Sequence, residues 1–314
     1  MTVLFLDTVH EVLQQRLSQK GFECIDASGW SREQSLIALT DAEGIVIRSR
    51  FPMNADFLSR ANKLKFIARS GAGMENIDLD YTTKRGILCF NAPEGNRNAV
   101  AEHALGMLLS LFNKLNKGDR EVRQGIWDRE GNRGIELDGK TVGIIGYGNN
   151  GSAFAKKLSG FETEVLSYDK YKQNYEDGYT QEATMEELFE KCDVLSFHIP
   201  QNEETIYMAD EAFFNKFRKP IYVINLSRGK IIKTAALLQG LSSGKIPGAC
   251  LDVLEYESAS FEKVLDGTEN NEFKALLQSE KVIFSPHVGG WTKESYFKLS
   301  NILADKILNE YGLL

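Results

Sequence analysis

The chain has 314 residues, room for two domains of ordinary size. Hydrophobic residues make up 42% and charged residues 26%, the balance of a soluble globular protein and not of a disordered one. A net charge of −7 argues against nucleic acid or an anionic membrane surface as partner, because both require clustered positive charge.

The N-terminus, MTVLFLDTVHE, carries no basic region, and its apolar run is stopped by Asp7, so it predicts a strand and not a signal peptide. Short apolar runs then alternate with helical periodicity: Val3 to Leu6, a helix near Val9 to Lys20, then Gly44 to Ile47, Lys65 to Ala68 and Ile87 to Phe90. Strands alternating with helices imply a parallel sheet covered on both faces. This unit ends near Pro93. A strongly apolar helix follows from Asn98 to about Leu115, and its apolar surface is too wide for one buried stripe. Its longest apolar stretch, Ala104 to Phe112, is far too short to span a bilayer, and a cytoplasmic location is the expectation. Cys24, Cys89, Cys192 and Cys250 are widely spaced and form no C-x-x-C pair, which predicts reduced thiols and no metal site.

A polar, charged arm from Lys117 to Asp138 leads to the most informative stretch. Val142 to Ile145 predicts a buried strand, and Gly146-Tyr147-Gly148-Asn149-Asn150-Gly151 predicts a turn into a helix beginning near Ser152. In such a strand, turn and helix, Gly146 serves the tight turn, Gly148 lets backbone approach a pyrophosphate, and Gly151 lets helix and strand pack closely. The unpaired N–H groups and positive dipole of the helix start attract the phosphates. Asn150 departs from the pattern, since an apolar residue usually packs there. A second strand, Thr163 to Tyr168, ends at Asp169, which lies 18 residues after Gly151 (169 − 151). An acidic residue at that distance accepts hydrogen bonds from a ribose diol and repels a 2′-phosphate, so NAD is favoured over NADP. Further strands are predicted at Asp193–Phe197, Ile221–Asn225, Gly248–Leu251 and Lys281–Phe284, six in all, followed by a last helix from Thr292 to Tyr311 that returns to the first unit.

Sites in open α/β sheets lie outside the carboxyl ends of the strands. Arg228 follows the Ile221 strand, Asp252, Glu255 and Glu257 follow the Gly248 strand, and His287 follows the Lys281 strand. An Arg, a carboxylate and a His at neighbouring strand ends suit hydride chemistry on a hydroxy acid. His titrates near ~6.5 and can take the hydroxyl proton, a carboxylate orients the ring, and Arg offers a bidentate fork for a substrate carboxylate. His103, inside an apolar helix, is expected to be structural, and His198 to line the cofactor site without doing chemistry. Gly229 is expected only to mark a turn.

The ordered motifs Gly146 to Gly151 with Asp169, Phe197-His198-Ile199-Pro200, Ile224-Asn225-Leu226-Ser227-Arg228-Gly229, Leu251-Asp252-Val253 with Glu257, and Ser285-Pro286-His287-Val288-Gly289-Gly290 resemble the D-isomer-specific 2-hydroxyacid dehydrogenase family over nearly the whole chain. The resemblance implies Arg228 as substrate anchor, Glu257 as partner carboxylate and His287 as acid/base, with Asp252 holding the nicotinamide carboxamide. It also implies that Asn149, Asn150, His198, Ile199, Pro200, Leu226, Ser227 and Gly289 contact NAD. Glu255 is the rival carboxylate, and Ser258 stands where the family usually has proline. Arg48 in Ile45-Val46-Ile47-Arg48-Ser49-Arg50 and Arg69 in Ala68-Arg69-Ser70-Gly71-Ala72-Gly73 resemble the phosphate-holding arginines of the branch that acts on 3-phosphoglycerate, with Ser70, Gly71, Ala72 and Gly73 at the substrate carboxylate.

The implied architecture is α/β, two doubly wound parallel-sheet (Rossmann-like) domains with an active-site cleft between them: a substrate domain, 1–93 plus 287–314, and an NAD-binding domain, 94–286. The implied function is NAD-dependent oxidation of 3-phosphoglycerate, a small 2-hydroxy acid, by a homodimer joined through the 98–115 helix, without a metal. A C-terminal regulatory domain and feedback through it are not expected. The rivals are a glyoxylate or hydroxypyruvate reductase, which needs no phosphate site, and a non-catalytic NAD-sensing protein of the corepressor kind.

Overall fold

The computed structural model describes residues 1–257 and 270–314. Ser258 lies outside the described residues. The chain divides into two compact units: Met1–Arg97 with Trp291–Leu314 form one, and the described residues from Asn98 to Gly290 the other.

The first unit contains β1 (Thr2–Phe5), α1 (Val12–Gln19), β2 (Glu23–Asp26), α2 (Arg32–Ala38), β3 (Gly44–Ile47), α3 (Ala55–Leu58), β4 (Phe66–Arg69), α4 (Leu79–Lys84) and β5 (Leu88–Phe90). All strands pair parallel in the order β2-β1-β3-β4-β5, a doubly wound arrangement. The Gly-Ile-Val-Ile of β3 is fully buried, because a central parallel strand is covered on both faces and must be apolar throughout. Sequence reading misses β2: this edge strand is exposed or half-buried along its length, so Glu23-Cys24-Ile25-Asp26 shows no apolar run.

The chain continues with α5 (Pro93–Phe112), α6 (Leu115–Arg123), β6 (Thr141–Ile145), α7 (Asn149–Leu158), β7 (Glu164–Tyr168), β8 (Gln181–Glu182), α8 (Met185–Lys191), β9 (Val194–Phe197), α9 (Glu211–Asn215), β10 (Tyr222–Asn225), α10 (Thr234–Ser243), β11 (Ala249–Leu251), α11 (Asn271–Leu277), β12 (Val282–Phe284) and α12 (Lys293–Glu310). In the second unit the parallel order is β12-β11-β10-β9-β6-β7-β8. From β6 the strands are added outward to β7 and β8 on one side and then from β9 onward on the other, so the switch point at which such sheets bind ligands lies between β6 and β9. The sheet has seven strands where the sequence predicts six. The addition is β8, two exposed residues at the edge, too short and polar to be read in advance.

Three helix boundaries differ from expectation. The apolar helix begins at Pro93 and not Asn98, since proline is well suited to the first helical position. It stops at Phe112, and Lys114 adopts φ +52°, which breaks the helix before α6 forms inside the charged arm. In α6, Lys117–Glu121 and Asp119–Arg123 pair one turn apart and support a helix that buries no residue. The helix after the glycine turn begins at Asn149 and not near Ser152.

In the first unit α12 packs beside α1, burying Leu299, Leu303, Ile307 and Leu308 with Leu13 and Leu17. Each such side chain contributes about 1.5 to 3 kcal/mol. Thr292 and Ser295 form the capping box that starts α12, and Arg16–Asp305 and Lys306–Glu94 add ion pairs along it. Cys192 and Cys250 are buried, Cys24 and Cys89 half-buried, and all four are free thiols. No described helix is long and apolar enough to cross a membrane. Among the described residues no His, Cys, Asp and Glu group could hold a metal ion.

Candidate active site

The glycine turn sits at the end of β6, at the switch point. Gly146 has φ +95°, a conformation other residues reach only with strain, and a Cβ there would come within 2.5 Å of the His198 carbonyl oxygen beyond β9. A Cβ on Gly151 would overlap the Gly146 carbonyl. Gly148 caps α7, and a Cβ there would meet no protein atom within 4 Å, so its exposed side is open. The N–H groups of Asn149, Asn150 and Gly151 begin the helix without an intrahelical acceptor and face the positive end of its dipole. This cradle fits the pyrophosphate of NAD. Tyr147 points the other way: it is buried, stacked on Tyr175 at 5.1 Å and bonded through its hydroxyl to Asp177 at 2.9 Å. The Asn150 amide oxygen is enclosed without a hydrogen-bond partner among the described residues.

Asp169 follows β7. Its Oδ2 accepts the Tyr147 N–H at 2.9 Å, and its Oδ1 accepts the N–H groups of Tyr171 and Lys172 at 3.0 and 3.1 Å. Three backbone donors thus fix a carboxylate at the strand end beside the turn, where a ribose diol would be read.

His198 lies just past β9, with Nε2 2.8 Å from Ser196 Oγ and its ring against Phe154. Burial pushes the His198 imidazole down from 6.5 to about 4, so the ring is neutral near pH 7. Ile199 and Pro200 continue from it along the same edge. A histidine with a lowered folded pKa costs stability when acid would charge it: stability is intact above about 6.5 and is lost as pH falls through the window down to about 4. The residue keeps a partly exposed edge, so the expected loss between pH 7 and 5 is about 1 to 2 kcal/mol. Urea unfolding at both pH values should show a smaller difference for His198→Gln than for the wild type. An unchanged difference would show that other groups set the acid limit.

Adjacent strands β10, β11 and β12 deliver the remaining candidates. Past β10, Ser227 Oγ donates to the Phe197 carbonyl at 2.5 Å and Asn225 Oδ1 accepts the Ser227 N–H at 3.0 Å, which stiffens the Leu226-Ser227-Arg228 turn. Arg228 Nη1 donates to the Ser227 carbonyl at 2.6 Å. Gly229 does more than mark a turn, because a Cβ there would overlap the Leu254 carbonyl. The two rival carboxylates past β11 separate cleanly. Glu255 accepts the Thr234 N–H at 2.8 Å at the start of α10, a structural bond. Glu257 Oε2 lies 2.6 Å from His287 Nδ1, and its Oε1 accepts the Leu254 N–H. A carboxylate only accepts, so Nδ1 carries the hydrogen and Nε2 is left as the basic nitrogen.

His287 has φ +55°, rare for a residue other than glycine, and the loop holding it is built on Asp252. The Asp252 carbonyl accepts the His287 N–H at 2.8 Å, and its carboxylate accepts Ser285 Oγ at 2.5 Å and the N–H groups of Val288 and Gly289 at 2.9 and 2.8 Å. Asp252 is only 2% exposed, and three donors of its own chain fix its carboxylate at the strand end. His103 joins this network, its Nε2 2.8 Å from Ser285 Oγ. Its partner is 182 residues away, so no local pattern reveals the contact.

In the first unit Arg48 follows β3 and Arg69 ends β4, neighbouring strands paired parallel. Asp7 Oδ2 accepts the N–H groups of Arg48, Ser49 and Arg50 at 2.7, 3.0 and 3.1 Å, a bracing contact that no sequence pattern reveals. Arg69 Nε donates to the Arg48 carbonyl at 3.2 Å. Its guanidinium lies over Gly71, where a Cβ would overlap it. Ser70 is buried, and Ala72 and Gly73 continue the loop, with the Ala72 carbonyl bonded by Asn91 at 2.6 Å.

The family profile described as D-isomer specific 2-hydroxyacid dehydrogenase, NAD binding domain, matches residues 105–289. The match falls within the second unit, and NAD is the cofactor of that domain. D-3-phosphoglycerate dehydrogenase of Archaeoglobus fulgidus is 34% identical over 311 residues, 98% of this chain and 57% of that protein. D-3-phosphoglycerate dehydrogenase of Homo sapiens is 31% identical over 304 residues, 96% of this chain and 55% of that protein. The chain thus spans little more than half the length of these relatives. Among solved structures, D-lactate dehydrogenase from Aquifex aeolicus, complexed with NAD and lactic acid, has a TM-score of 0.82 at 27% identity, with 100% of this chain and 96% of that one covered. A D-2-hydroxyisocaproate dehydrogenase has a TM-score of 0.83 at 26% identity, with 99% and 96% covered. The chain belongs to the D-isomer-specific 2-hydroxyacid dehydrogenase family.

Proposed function

We propose that this protein oxidises D-3-phosphoglycerate to 3-phosphohydroxypyruvate with NAD. The observation that carries the reading is the His287–Glu257 pair, 2.6 Å apart at the end of a strand near that of Arg228, in a unit with a built dinucleotide cradle. Bound NAD supplies the hydride acceptor. His287 Nε2 takes the hydroxyl proton, Glu257 holds the ring in the required tautomer and balances the charge it gains, and Arg228 anchors the substrate carboxylate. The phosphorylated substrate is supported by Arg48 and Arg69 at neighbouring strand ends, and by the curated relatives named for that activity. The first unit, with its boundary near Arg97 and Trp291, serves as the substrate domain.

Absorbance of NADH across a panel of 2-hydroxy and 2-keto acids tests the reading. Preference for 3-phosphoglycerate and 3-phosphohydroxypyruvate supports it; preference for glyoxylate or unphosphorylated hydroxypyruvate makes a simple reductase the better reading, and no turnover with any of them leaves the NAD-sensing alternative.

Asp169 sets the cofactor choice. The wild type should prefer NAD to NADP, and Asp169→Ala should narrow the ratio by removing both the diol contact and the repulsion of a 2′-phosphate. Equal use of the two cofactors by the wild type would refute this. Homodimerisation through the 98–115 segment belongs to the same proposal and is supported by exposed apolar residues at its end, Leu115, and along the arm after it, Val122, Ile126 and Trp127. A monomer mass in solution at micromolar concentration would count against it.

A further inference from the structure

We propose that Trp291 is a positioning residue for Arg48, and through it a determinant of selectivity for a phosphorylated substrate. The inference rests on the reading of Arg48 as a phosphate ligand and extends it to a side chain outside the motifs that suggested that reading.

The Arg48 guanidinium carbon lies 4.0 Å from the centroid of the Trp291 ring, well inside the ~6 Å range of a cation–π contact. Arginine has a long side chain that loses rotamer freedom when it grips an anion, so a surface that holds it beforehand lowers that cost. A cation–π contact suits this task because it holds the guanidinium without a hydrogen bond and leaves its N–H groups to donate to a ligand. The neighbouring arginine shows the contrast. Arg50 spends its N–H groups on the carbonyls of Leu6, Ala27, Ser28 and Trp30, a set of bonds that makes it a structural brace. Among the described residues, Arg48 makes no such bond through its guanidinium and touches an indole instead.

The indole is itself held. Trp291 immediately precedes Thr292, which caps α12, and its ring meets Tyr296 edge-on at 5.5 Å. Tyr296 packs edge-on against His10 at 5.5 Å, and His10 is tied to α12 by its N–H to Ser300 Oγ at 3.2 Å. Trp291 is nonetheless 48% exposed, so the Arg48 contact lies at the surface of the first unit. From the other side, the Arg48 backbone is fixed by Asp7. Both ends of the contact are therefore rigid and built from separate parts of the first unit, as a preorganised ligand arm requires.

The test uses Trp291→Leu, which removes the aromatic face, and Trp291→Phe, which keeps one, with Arg48→Ala alongside. Michaelis constants are measured for 3-phosphohydroxypyruvate and for unphosphorylated hydroxypyruvate, with the thermal midpoint as a check on folding. Trp291→Leu should raise the constant for the phosphorylated substrate about three- to tenfold and leave the other within about twofold, and Trp291→Phe should recover most of the loss. A selective Arg48→Ala beside an unaffected Trp291→Leu would overturn this inference while leaving the phosphate reading intact. Equal losses on both substrates in Trp291→Leu would overturn it too, showing that the indole only supports α12. An unselective Arg48→Ala would remove the phosphate reading and this inference together.

Discussion

His287→Asn lowers the turnover number by roughly 10²- to 10⁴-fold, the usual worth of a positioned acid/base, with little change in NADH affinity. Asparagine is the informative replacement because it tolerates the left-handed backbone at φ +55° that His287 adopts, so the loop over Asp252 survives while the imidazole is lost. Glu257→Gln keeps the shape of its side chain but removes the charge 2.6 Å from Nδ1, and it should cost less than loss of the imidazole itself. The two residues act as one device, so the double variant should be scarcely slower than His287→Asn alone. Turnover of His287→Asn within about tenfold of the wild type, or strictly multiplicative losses in the double variant, would show that the pair is structural. Glu255→Gln should affect stability before turnover, since that carboxylate serves the start of α10.

Arg48→Ala and Arg69→Ala each raise the Michaelis constant for 3-phosphohydroxypyruvate by at least about tenfold and that for unphosphorylated hydroxypyruvate much less. A charge-assisted hydrogen bond to phosphate is worth roughly 1.5 to 3 kcal/mol, which corresponds to a ten- to hundredfold change in binding or somewhat more. The two arginines differ in what else they do. Arg69 donates to the Arg48 carbonyl and lies over Gly71, so its loss also loosens the loop around Ser70. Among the described residues the Arg48 side chain makes no such loop bond and meets the Trp291 ring instead, so its variant gives the cleaner result. Equal losses on both substrates would place these arginines in the fold or at the carboxylate, and a reductase of unphosphorylated acids would then be the better reading.

The α/β class, the glycine turn with Asp169 and the strand-end candidates Arg228, Glu257 and His287 are all legible in the sequence. The reason is local: a buried parallel strand must be apolar throughout, and a turn that meets a pyrophosphate must lack side chains at Gly146, Gly148 and Gly151. What has no local signature is decided by the tertiary structure. The strands β2 and β8 lie at sheet edges, where exposed residues such as Glu23 and Gln181 need no apolar pattern. Glu257 is favoured over Glu255 in the sequence only through the family resemblance, and the tertiary structure supplies the physical reason: the loop turns Glu257 to His287 and Glu255 to the start of α10. Asp252 reads from the sequence as a ligand-binding carboxylate at a strand end, and only the fold shows that it also braces the His287 loop through Ser285, Val288 and Gly289. His103 to Ser285, Asp7 to the backbone of Arg48, and Trp291 to the Arg48 guanidinium join residues that are far apart in the chain. Such contacts come from the order in which the strands assemble, and that order is set by the packing of both sheet faces and not by any one segment.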